Sequence, residues 1–455
     1  MPRLTPDDIR ARVESDWTRI VDVLNRKIAL KSVSADGITG EHMRRSAEFV
    51  AEQMREVGVD AKVVQSTNPD GTPGAWEVIG SRIVDPAAPT VLLYAHHDVQ
   101  PVPDPTAWDT DPFVGTEIGD RLYGRGSADD GGGIAIHSGA LKALGDDLKV
   151  NVRIFIEGEE EMGSASFIPF VEEHRDDFAA DVIVVADSGN WAADIPSLTT
   201  SLRGNTCVDV TVRALTHPVH SGQYGGPILD ANTLAAMLIA SLYDADGDLA
   251  VPGVAAEEPV GGLQRDVDET GVRADAGIVD SYRLAGTGSL ASRLWTKPSL
   301  TVIGFDAHPV DGSFNVISPE TRFRLSLRTA PGQDPAEAQA ALADFLVSHP
   351  PFGAEVEVTG LENGRGWAMD PDAVATKDAL EAMEEAFGVA PINQGQGGSI
   401  PFIPELQRIF PEAQVLVTGP EDPKANAHSP NESISLSGLK NNVITEALLL
   451  AKLAK

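Results

Sequence analysis

Three short apolar runs constrain the fold most strongly: PTVLLYA (residues 89–95), NVRIFIE (151–157) and DVIVVAD (181–187). Helix-like segments, GGIAIHSGALKAL and SFIPFVEEHRDDF, lie between them. Such alternation predicts an α/β architecture with a mainly parallel sheet and helices on both faces, because parallel neighbours need a crossover. Each run leads directly into a polar cluster, HHD, EEEMGS or DSGN. Ligands of open α/β sheets bind beyond the carboxyl ends of the strands, so three distant clusters are expected along one sheet edge. A fourth polar stretch, GRGSADDGGG, lies between the first two runs and opens a helix.

The remaining chain has a different texture. A chain of 455 residues exceeds one ordinary compact core. From about Leu202 onwards NTCVDVTVRA, the helical LDANTLAAMLIASLYD, TRFRLSLRT, DPAEAQAALADFLVSH and AEVEVTGLE follow one another. Strands of alternating type with two helices predict a smaller α+β domain. The last segment returns to the earlier style, with helices from Asp370 to Phe387 and from Ser435 onwards around the strand AQVLVTG. The expected organisation is therefore a catalytic domain in two parts, 1–200 and 369–455, interrupted by an inserted domain over 201–368. At the start, Thr5 and Pro6 have the form of a helix cap with proline in the first turn. A second helix is expected from Glu41 to Val57, ending at Gly58.

Charge excludes some partners. With 68 acids against 35 bases the formal charge is -33, which repels nucleic acid and anionic membrane surfaces. The N-terminal stretch reads as an acidic amphipathic helix rather than a signal peptide, and a cytoplasmic protein is expected. Cys207, the one cysteine, has no partner for an internal disulfide, and its strand-like surroundings predict a buried small hydrophobe.

Chemistry concentrates in the polar clusters. In AHHDVQP the strand period puts His96 and Asp98 on one face and the rival ligand His97 on the other. A carboxylate two residues from a histidine can accept its spare N–H and fix the metal-binding tautomer. In GRGSADDGGG, Asp129 and Asp130 are each a ligand or a helix cap, and the absent lysine and hydroxyl argue against a phosphate loop. The glutamates of IEGEEEMGS repel one another unless a cation offsets them, or the turn is simply solvated. One of them can bind a metal while a neighbour takes a proton from water, and residue types alone leave Glu159 and Glu160 equal for that task. Asp187 in ADSGN and His428 in ANAHSPNES complete the set. Two histidines among carboxylates suit zinc, manganese or cobalt better than calcium or magnesium.

Taken in order, HHD, GRGSADD, EGEEEMGS, ADSGN and AHSPNE resemble the motifs of the co-catalytic zinc peptidases that include carnosinase, cytosolic non-specific dipeptidase and carboxypeptidase G. THPVHSGQYGG, FNVISP, LSLRTAP and GGSIP are similar to patterns of its dipeptidase branch. The resemblance implies hydrolysis of dipeptides at two divalent ions, zinc before manganese or cobalt. It implies that Asp129 bridges them, that His96 and Asp187 complete one site, and that Glu161 and His428 complete the other. Glu160 becomes the general base and Asp98 the residue orienting His96. The inserted domain becomes a lid and dimerisation domain of a homodimer, supplying His220 to the oxyanion from a second subunit. Arg328 would clamp the substrate carboxylate, and Asn315 and Ser399 would touch the substrate.

One motif departs from the pattern. Where the family commonly has DDKG this chain has DDGG, with Gly131 replacing the lysine. Two other functions remain compatible with these residues: an N-acyl amino acid deacylase or desuccinylase, and a non-catalytic metal-binding scaffold.

Overall fold

A computed structural model describes residues 4–398, 400 and 402–454 of the chain. Its contacts divide the protein into two compact units, the first formed by Met1–Thr199, Met369–Gln394 and Glu405–Lys455, the second by Thr200–Ala368 and Gly395–Pro404. By these contacts residues 395–404 group with the second unit, whereas the sequence alone puts all of 369–455 in the first. The cause is local. Gly397 O accepts a hydrogen bond from Arg203 Nε, and Gly395 packs so closely on Trp295 that a Cβ would lie 2.5 Å from that side chain.

The first unit is built on a mixed sheet whose four central strands, Asn151–Glu157, Thr90–His96, Val182–Val185 and Gln414–Val417, are parallel and adjacent in that order. Its margins are antiparallel. The hairpin Asp60–Thr67 and Pro73–Arg82 lies outside Asn151–Glu157, and Ser197–Leu202 lies beside Gln414–Val417. From Thr90–His96 the chain goes to one neighbour, Asn151–Glu157, and then crosses to the other, Val182–Val185. This makes Thr90–His96 a topological switch point, the position at which open α/β sheets bind their ligands beyond the strand ends.

Helices cover both faces. Phe155 meets Phe167, Phe170 and Phe178 of the helices Phe167–Glu173 and Arg175–Phe178 at ring-centroid distances of 5.8, 5.8 and 4.8 Å. The helix Gly131–Leu144 is buried at every residue except Lys142, as an almost wholly apolar helix must be. It packs between Pro6–Ala29 and Leu436–Leu453. Thr5 caps Pro6–Ala29 through a reciprocal bond with Asp8. No helix among the described residues is long and apolar enough to cross a membrane.

The second unit holds a four-stranded antiparallel sheet in the order Ser299–Phe305, Glu320–Thr329, Gly204–Arg213, Glu355–Gly364. Val208, Val210, Val212, Phe323, Leu325 and Leu327 point to one face, where Leu234 and Leu238 of Ala231–Ala240 and Leu342 and Leu346 of Pro335–Ser348 close the core. The same alternation corrects one expectation. Cys207 is only half-buried, because it falls on the opposite face from Val208.

Candidate metal centre

All the polar clusters foreseen at strand ends of the first unit do meet there. His96 is the last residue of its strand. Its Nε2 lies 2.8 Å from Asp129 Oδ1 and 3.6 Å from Asp187 Oδ1, while Nδ1 lies 3.3 Å from Asp98 Oδ1 and 3.2 Å from the Asp98 carbonyl. Asp98 thus stands behind the ring and Asp129 in front of it, the arrangement that fixes a ligating tautomer. His97 goes elsewhere. Its Nε2 meets the carbonyl of Trp76 at 2.6 Å, and burial pulls its pKa down to about 4.

Asp129 faces two histidines at once. Its Oδ2 lies 2.8 Å from His428 Nε2, which also lies 3.1 Å from Glu161 Oε2. Asp129, Glu161 and His428 offer ligand atoms within 4.8 Å of one another, as do His96, Asp130 and Asp187. Asp130, however, is already engaged: Oδ1 accepts from Gly133 N at 2.9 Å and Oδ2 from His96 N at 3.2 Å. It caps the Gly131–Leu144 helix, and Asp129 is the carboxylate left to stand between the two groups. The peptide joining the two aspartates is cis.

The glutamates of the EEE run separate clearly. Glu159 is buried, its Oε1 accepting from Ser166 N at 2.5 Å and from Ser166 Oγ at 2.7 Å. Glu160 is half-buried in the turn that follows. Burial, reinforced by the Asp187 carboxylate, raises its carboxyl well above the usual range, which suits a group that must take and return a proton. Glu161 N donates to Asp98 Oδ2 at 3.1 Å, and Glu161 Oε2 accepts from Gln100 Nε2 at 2.6 Å.

The donor set fits divalent cations. Burial pushes Asp187 up to about 6, while the carboxylates of Asp129 and then Glu161 drive His428 up to about 10. Burial opposes charge on Asp129 as well, yet His428 and His96 hold it well below the usual carboxylate range. Protonated imidazoles here serve as the only counter-charges among the ligand side chains, a place that metal ions take with release of those protons. Glu161 Oε1 is buried without a hydrogen-bond partner, and an orphaned carboxylate oxygen is costly unless a cation reaches it.

Sequence reasoning missed one residue. Glu432 is fully buried and collects the N–H groups of Gly126, Ala128 and Asp129 at 3.0, 3.0 and 3.2 Å, with Arg125 Nη1 at 2.6 Å. It shapes the loop that presents Asp129, where Gly126 turns at φ +76°. Burial pushes its carboxyl up to about 7 against the pull of Arg125. The sequence hint was its position four residues after His428.

The remaining site residues lie in the second unit. His220 and Asn315 are neighbours: His220 pairs with Val316 across a two-residue ladder, and Ser221 N donates to Asn315 O at 3.4 Å. His220 Nδ1 accepts from Gly222 N at 3.0 Å, which leaves the proton on Nε2 as a donor. Arg328 is half-buried, opposite Ser299 and Asn205, and close enough to Arg203 for the two cations to repel. Ser399 lies outside the described residues.

Fold and site together place a carboxylate-rich candidate metal centre at the strand ends of an α/β sheet, an arrangement suited to metal-assisted hydrolysis. Residues 92–452 match the model of peptidase family M20/M25/M40, and the chain belongs to that family, a metallopeptidase. It is 33% identical over 418 residues to a cysteinylglycine-S-conjugate dipeptidase of Corynebacterium striatum, covering 90% of each chain. To the human beta-Ala-His dipeptidase it is 27% identical over 441 residues, covering 91% of this chain and 86% of the other. Among solved structures, the dipeptidase Dug1p of Saccharomyces cerevisiae shares its fold with a TM-score of 0.75 at 23% identity, covering 99% of this chain and 98% of that one.

Proposed function

We propose that the chain hydrolyses dipeptides at a centre of two divalent ions, zinc before manganese or cobalt, with Glu160 as the general base. One observation carries the reading: Asp129 stands with one oxygen 2.8 Å from His96 and the other 2.8 Å from His428. His96, Asp129 and Asp187 would hold one ion, and Asp129, Glu161 and His428 the other. Bound there, the ions supply Lewis acidity for an amide carbonyl and acidify water.

The protein's own groups do the rest. Glu160 takes the proton of the attacking water and returns it to the leaving amine. Asp98 keeps His96 in the tautomer that presents Nε2. His220, a donor through Nε2, stabilises the oxyanion. Arg328 holds the substrate carboxylate with its planar fork, and Asn315 and Ser399 contact the substrate. The inserted unit acts as lid and dimerisation surface of a homodimer. In support, the outermost strand Ser299–Phe305 exposes Val302, Ile303 and Phe305, and an apolar sheet edge is a surface that proteins cover.

The test is removal of metal by a chelator, separate restoration of zinc, manganese and cobalt, and hydrolysis of Cys-Gly and β-Ala-His beside N-acyl amino acids. Activity that vanishes, returns with one ion and favours free-amine dipeptides is expected. Preference for N-acyl amino acids would make the chain a deacylase, and metal binding without hydrolysis of any amide would make it a scaffold.

A further inference from the structure

A buried lysine lies beneath this centre. Lys27, near the end of Pro6–Ala29, is 1% exposed. Its Nζ donates to Ser32 Oγ at 2.8 Å, and Ser32 Oγ donates in turn to the carbonyl of His97 at 2.6 Å. The chain of bonds therefore ends on the backbone between His96 and Asp98. Burial lowers the ammonium to about 8, and the carboxylates that resist this fall are Asp98, Asp130 and Glu432. They stand behind His96, cap the helix after Asp129, and gather the loop before it.

Space as well as charge ties Lys27 to this place. A Cβ on Gly131 would lie 2.4 Å from Gly126 O, 2.9 Å from Leu24 Cδ1 and 3.4 Å from Lys27 Cγ. The lysine stem packs where a side chain at 131 would start. A positive charge is thus present beside the ADDG turn, delivered from a different helix. A buried ammonium is costly without compensation; here Ser32 Oγ supplies a hydrogen bond and the carboxylates around the centre supply the opposite charge.

We propose that Lys27 is a positioning residue of the metal centre: a fixed counter-charge that lets the crowded carboxylates fold before ions arrive and moderates the hold on those ions afterwards. The proposal rests on the two-ion reading above. Its sign follows from Coulomb's law. Without ions Lys27 faces a centre in which carboxylates outnumber imidazoles and stabilises it, whereas divalent cations that replace the imidazole protons bring more positive charge, which the same ammonium repels. Removing it therefore costs the metal-free protein more than the zinc-loaded one, and by linkage the variant binds zinc more tightly.

The experiment is scanning calorimetry of full-length native protein and Lys27→Met, each with and without zinc, beside a zinc titration against a chromophoric chelator. The metal-free Tm should fall by ~5 °C or more, the zinc-loaded Tm by less than half as much, and zinc affinity should rise ~10-fold. Ser32→Ala, which keeps the charge, should lose equally in both states. Equal losses in Lys27→Met, or a smaller zinc-induced rise than in the native protein, would overturn the proposal. Should Lys27→Met not fold with zinc, Lys27→Gln is read in the same way; failure of both to fold makes Lys27 plain structure and ends the idea. A native protein that binds no zinc defeats the two-ion reading itself, and this proposal with it.

Discussion

Glu160 and Glu159 are chemically identical neighbours, and the fold alone distinguishes them. Ser166 occupies Glu159, which leaves Glu160 as the glutamate between the strand and Glu161 with a raised carboxyl. Glu160→Gln is accordingly expected to lower kcat by ~100- to 10,000-fold, with zinc content by atomic absorption unchanged. Native turnover in this variant would remove Glu160 from the mechanism. Ligand types were legible in the sequence because HHD, EEEMGS and ADSGN sit at the ends of apolar runs, and a period of two already favoured His96 over His97. Residues behind the ligands were not. Glu432 reaches the N–H of Gly126 across 306 positions, and Lys27 looks in sequence like one more charge on an amphipathic helix. Such contacts exist only once the chain is folded.

At the level of elements, the parallel strands were legible from their unbroken apolar runs, and the antiparallel margin was not, since Asp60–Thr67 and Pro73–Arg82 carry no such run. The helix expected from Asp370 starts instead at Val374. Asp370 accepts from Asp372 N at 2.9 Å and holds a turn ahead of it. Between Gly131–Leu144 and Leu436–Leu453 the sequence hides a buried ion pair, His137 Nδ1 to Glu446 Oε2 at 2.8 Å, with His137 Nε2 on the Tyr94 carbonyl. Burial opposes the charged ring, but Glu446 more than offsets it, so the folded pKa stands above 6.5. The pair's contribution is fully present below that unfolded value and is lost as pH rises through the folded one. Urea unfolding of zinc-saturated native protein and Glu446→Gln should therefore differ by ~1–3 kcal/mol near pH 6, with the gap closing toward pH 9. A gap independent of pH would show that the histidine carries no charge in the fold.

For the whole molecule, the inserted unit was legible because Gly204–Arg213 and Glu320–Thr329 alternate strictly, one face apolar and the other polar. Whether its histidine serves its own chain or a partner's is a matter of assembly, which no local pattern encodes. Complementation decides it. In the proposed homodimer, Glu160→Gln and His220→Ala are each expected to leave almost no activity. In a dimer combining the two, the chain with His220→Ala retains Glu160, and the Glu160→Gln chain retains His220. If the histidine crosses between subunits, those two intact groups meet at one of the two sites. Random co-assembly makes about half of all dimers mixed, so co-expressed chains should show about a quarter of native activity. If His220 acts within its own chain, every site lacks one group and no activity returns. A chain carrying Ile303→Lys as well tests the surface: a charge on the exposed strand should leave monomers and abolish the recovery, as read by light scattering on the same samples.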